Sequence, residues 1–141
     1  MNFKKPTLLV LFALIMGACS GPAKQESQAD DDEWPTLDKY HMTMAEAFHP
    51  FKDSANLEPA KKLAPELAQS ADAWAAEVLP AKVNNDNTKA LLEALKSDSH
   101  RLADLVNAGA PNDSIGAALT ALHNQFHHIT EAWHGAEKHE H

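Results

Sequence analysis

Ile115, Leu119, Leu122, Phe126, Ile129 and Trp133 follow one another at steps of four, three, four, three and four. Such a line is the buried edge of an amphipathic α-helix, and it rules out the strict alternation of a half-buried strand. The helix it predicts spans 113–134, capped by Asn112 or Asp113 and stopped near Gly135. Three earlier segments carry the same signature. Residues 36–52 place Leu37, Tyr40, Met44, Phe48 and Phe51 on one stripe. Residues 57–79 place Leu63, Leu67, Ala71, Trp74 and Val78, with Asn56 as the N-cap, Pro80 as the stop and Pro65 as the site of a kink. Residues 87–107 carry Leu91, Leu95, Leu102, Leu105 and Val106 and end at Gly109, a good C-terminal glycine. No segment reads as a strand. Short polar links near 53–56 and 108–112, with a slightly longer one at 80–86, leave consecutive helices to pack as neighbours. The expected fold is all-α, an antiparallel up-down-up-down four-helix bundle over residues 36–134, with the last helix beside the first.

The N-terminal end obeys a different logic. Met1 to Lys5 is cationic, Leu8 to Met16 is apolar but too short to span a bilayer, and Met16-Gly17-Ala18-Cys19 brings small residues up to the only cysteine. Residues 1–18 therefore read as a signal peptide and Cys19 as a lipid acceptor. The junction resembles the lipobox of bacterial lipoproteins, with Met16 where that family usually has leucine. That resemblance implies acylation, palmitate included, and attachment to the bacterial cell envelope. Ser20, rather than aspartate, after the cysteine implies the periplasmic face of the outer membrane. Residues 19–35, with a run of acids at Asp30 to Glu33, read as a flexible tether with too little apolar surface to offset ordering, and 135–141 as a His/Glu-rich tail.

With Cys19 lipidated, no disulfide is available to the domain. The net charge of −8 becomes about −10 without Lys4 and Lys5, which argues against nucleic acid and anionic lipid as partners. Membrane contact then rests on the acyl chains alone.

Nine histidines are the second informative feature. His123 and His127 stand one turn apart, about 40° from each other, beside the Leu122/Phe126 stripe. His-x-x-x-His on a helix brings two ring nitrogens to one ion, although histidine-rich helices also contain the spacing by chance. A third ligand has to come from elsewhere, and His41, within the Leu37/Met44/Phe48 stripe of the first helix, is the candidate. His49 precedes Pro50; it either ends the first helix and turns inward or stays exposed in its last turn. Met44 is a candidate sulfur ligand that would favour copper, though its place on the core stripe equally suits packing. His128 faces the other side of its helix. The competing reading of all these histidines is that they solvate the rim of a bundle.

In helix number, helix lengths, loop order and a near-terminal histidine, residues 37–134 resemble the cytochrome b562 and cytochrome c′ bundles. Laid on that family, Leu37-Asp38-Lys39-Tyr40-His41 puts His41 near the axial methionine, and His127 or His128 near the haem histidine. Cys-x-x-Cys-His is missing, so the resemblance implies non-covalent haem b at most. Phosphate loops, His-Glu-x-x-His, nucleophile elbows and repeated Glu-x-x-His are missing too, and the chain does not read as an enzyme. The sequence thus predicts a lipid-anchored bundle that binds zinc or copper for capture, buffering or handover. A b562-like electron carrier and a cofactor-free envelope scaffold with a protein partner are the alternatives.

Overall fold

The structure, a computed structural model, describes residues 33–137. Cys19 and the signal segment, the tether as far as residue 32, and His139 and His141 lie outside the described residues.

Four helices make up the fold: α1 (Pro35–Ser54), α2 (Glu58–Ala76), α3 (Asp86–Asn107) and α4 (Asn112–Glu137), with a single 3-10 turn at Ala81–Val83. Each start has a local cause. Pro35 occupies the first position of α1, where a missing N–H costs nothing, and the Trp34 carbonyl accepts the Asp38 N–H at 3.2 Å. Asn85 caps α3 by accepting the Thr88 N–H at 2.9 Å. At the end of α3 the chain turns through Gly109 at φ 65°, Ala110 donating to the Leu105 carbonyl and Gly109 to that of Val106. This pairing is the Schellman motif that Gly109 predicts.

α1 packs on α2, α2 on α3 and α3 on α4, forming a four-helix bundle whose thinnest seam lies between α1 and α4. The six-residue stripe of α4 is buried throughout. At one end of the core Trp34, Trp74, Trp133, Tyr40 and Phe126 cluster, with Trp34 5.1 Å from Trp74 and 5.4 Å from Trp133 between ring centroids. Lys82 from the α2–α3 link covers the Trp133 ring, its Nζ 3.4 Å from the centroid.

Several sequence expectations need correction. α2 stops at Ala76 rather than Leu79, and Val78, expected on its stripe, is 93% exposed. The reason is Glu77: its backbone is extended, and its carboxylate accepts from Trp34 Nε1 at 2.8 Å and Thr36 Oγ1 at 2.6 Å. Those bonds draw it to the start of α1 and out of the helical path. Trp34, assigned to the tether by sequence, is consequently part of the core. In α3 the buried line is Thr88, Leu92, Leu95, Ser99 and Leu102, so Leu92 replaces Leu91 and two polar residues take core positions. Asn56 is not the N-cap of α2; Leu57 is, and Asn56 Oδ1 accepts the Glu58 N–H from one position earlier. α1 runs through Pro50 to Ser54, which leaves His49 inside the helix, and α4 passes Gly135 to reach Glu137.

Candidate metal site

Where α1 and α4 meet, a cleft of about 250 Å³ opens at the surface. Met44, Phe48 and Phe126 belong to the core and form its floor; His41, His49 and Lys52 stand on the α1 side, His123 and His127 on the α4 side. The α1 members recur at helical spacing next to the core stripe: His41, Ala45, then Phe48 and His49, then Lys52. Four of the nine histidines thus share one cleft.

The α4 pair is the best-defined part. His123 Nε2 lies 3.2 Å from His127 Nε2, with ring centroids 4.4 Å apart and ring planes at 81°. His123 is held from behind by Phe48, whose ring stacks on it at 3.7 Å between centroids and 11° between planes. Two nitrogens bound to a tetrahedral zinc at about 2.0–2.1 Å stand about 3.3–3.4 Å apart, and cis ligands of a square-planar copper at the same bond length about 2.9 Å. The observed 3.2 Å falls between these values and nearer the first. The same contact serves as a hydrogen bond when one ring is a neutral donor and the other an acceptor.

Burial pushes the His123 imidazole below its ordinary pKa. The His127 charge adds to this, as do those of Lys52 and His49, while a hydrogen bond with the Asn124 side chain opposes it. A depressed value keeps the ring neutral, the form that ligates metal.

The α1 residues depart from expectation in detail. His41 lies on the exposed flank of the stripe rather than within it, because Tyr40 takes the inward position at 1% exposure. Its ring stacks on Phe126 at 5.4 Å and 20°, in the same cleft as the α4 pair. Among the described residues no three His, Cys, Asp or Glu side chains converge as a ready-made metal set. His49 is exposed and forms the ridge between this cleft and a shallower groove lined by Met42 and Glu46. Met44 is 1% exposed and packs in the core.

The remaining described histidines sit elsewhere. His128 is exposed, its Nδ1 3.5 Å from Glu131 and outside the cleft; His100 Nε2 pairs with Asp72 Oδ1 at 2.9 Å across α3 and α2. Sequence reasoning passed over Lys52 and the stacking roles of Phe48 and Phe126. The spacing of 41, 45, 48, 49 and 52 was the available signal.

No known family, no curated protein and no solved structure matches this chain. Among the described residues no helix is long and apolar enough to cross a membrane.

Proposed function

We propose that this protein is a lipid-anchored bundle of the bacterial envelope that captures a transition-metal ion, zinc or copper, in the cleft between α1 and α4. The observation that carries the reading is the His123–His127 pair, whose Nε2 atoms stand 3.2 Å apart, close to the spacing of two ligands on one ion. A side-chain rotation that unstacks His41 from Phe126 supplies a third nitrogen from the facing helix. His49, exposed on the rim, is an alternative to His41 rather than an addition to it, while Met44 is better used as packing. The short links at 55–57 and 108–111 favour an antiparallel up-down-up-down arrangement, which sets α4 alongside α1 as such a site requires. Cys19 supplies the anchor and the acidic tether its reach, at the periplasmic face of the outer membrane. Exchange of the ion, through capture, buffering or handover, suits a cleft open to solvent better than catalysis does.

Met44, Phe48 and Phe126 pack in the core and floor the cleft, which favours a small ion at its rim over a haem between the helices. The test is elemental analysis and an absorption spectrum of protein purified from its native host without a polyhistidine tag. Zinc or copper near one per chain, with no haem band, is expected. A haem band would install the electron-carrier reading. A chain that holds no metal even when supplied with both ions would leave the scaffold reading in its place.

A further inference from the structure

If the metal reading holds, the ion does not sit in this cleft with protein ligands alone. Two ring nitrogens, or three with His41, leave at least one position of a four-coordinate ion open. What faces that position is set by the cleft lining: four histidines and Lys52, without one aspartate or glutamate, in a chain of net charge −8. Neutral imidazoles can hold a divalent ion but leave its charge uncompensated, and Lys52 adds a further positive charge to the lining. Lys52 is the lysine of that lining, and like Lys39, Lys62 and Lys89 it forms no ion pair among the described residues. Lys61 and Lys96 pair with Glu58 and Glu93 on their own helices, and Lys82 covers Trp133. The Lys52 charge is felt at His123 across the cleft.

We infer that the cleft takes its ion together with a small anionic donor of the carboxylate class, which occupies the open coordination position and pairs with the Lys52 ammonium. The cargo is then a metal–anion complex rather than a hydrated cation. Forming it is a simple ligand exchange: the anion replaces a water on the ion, and no bond of the protein forms or breaks. Lys52 lies three residues after His49 and one helical turn after Phe48, so α1 carries the anion contact on the same face as the floor of the cleft.

Cobalt(II) makes this measurable, because the visible bands of a four-coordinate cobalt site respond to a change of its fourth ligand. The mature chain is loaded with cobalt and titrated with acetate, and separately with azide as a stronger-field probe, at constant ionic strength. The expected result is a saturable band shift whose midpoint, for an exposed ion pair worth about 1 kcal/mol, rises roughly fivefold in Lys52→Met and returns toward the parent value in Lys52→Arg. Bands that neither anion moves, or equal midpoints in the parent and Lys52→Met, would overturn the inference while leaving the metal site standing. A chain that takes up no cobalt, zinc or copper would instead remove the metal reading on which the inference rests.

Discussion

Ser99 and Tyr40 show how a single polar contact can be read for its cost. The Ser99 hydroxyl donates to the Leu95 carbonyl at 2.8 Å, so the bond at 2.8 Å between Tyr40 and Ser99 has the tyrosine as donor. Burial pushes the Tyr40 hydroxyl above its ordinary pKa and keeps it a donor. Ser99→Ala strands a buried O–H and should cost about 1–3 kcal/mol, whereas Tyr40→Phe removes the donor and leaves only an acceptor short, about 1 kcal/mol. Urea unfolding of both variants checks this, and a larger loss for Tyr40→Phe would contradict it. His123 makes a second prediction, of sign rather than size. Its folded-state pKa lies below the unfolded value of about 6.5, so the unfolded chain binds more protons in between. Its contribution is complete above that value and is lost as pH falls through it toward the folded pKa. The urea midpoint should therefore fall less between pH 7.5 and 5 in His123→Asn than in the parent, and parallel slopes would refute the assignment. Neither residue could be read fully from sequence. Ser99 is a polar residue in a core position, which a search for apolar periodicity passes over, and the environment of His123 depends on Phe48 from another helix.

Helix ends divide into those set locally and those set from a distance. Gly109 announces the end of α3 because its left-handed backbone and the Schellman bonds involve only neighbouring residues. The end of α2 had no such signal. Leu79 and Pro80 suggest a longer helix, but Glu77 is pulled away by Trp34 and Thr36, more than forty residues earlier in the chain. Pro50 misleads in the opposite direction: tertiary packing of Phe48 and Phe51 holds α1 helical on both sides of it. The Glu77 contacts are open to direct test. Glu77→Ala leaves the Trp34 indole N–H buried without its acceptor and should cost about 1–3 kcal/mol, while Glu77→Gln keeps one acceptor oxygen and should cost less. Tryptophan fluorescence during urea unfolding reports on both, and equal losses would show that the hydrogen bond to Trp34 is not what holds this end together.

The bundle as a whole follows from four amphipathic stripes, which is why its class could be read in the sequence: the period of each stripe is a property of its own segment. The cleft could be read only in part. His123 and His127 announce themselves by spacing and His41 and His49 could be named as candidates on the first helix, but that these four share one cleft with Lys52, with His41 on the exposed flank of its stripe, depends on how α1 seats against α4. The central claim is that this seam binds one ion through the α4 pair, and binding to the folded state alone must then raise its stability with free ion as RT ln(1 + [L]/Kd). The decisive measurement is the zinc-dependent shift in thermal midpoint, made on a chain ending near residue 135 so that the tail histidines cannot contribute. The parent and His128→Ala should show the same rise, His123→Ala and His127→Ala should show none, and His41→Ala should weaken it. Equal shifts in His127→Ala and His128→Ala would mean that zinc coats a histidine-rich surface, and the site between α1 and α4 would have to be given up.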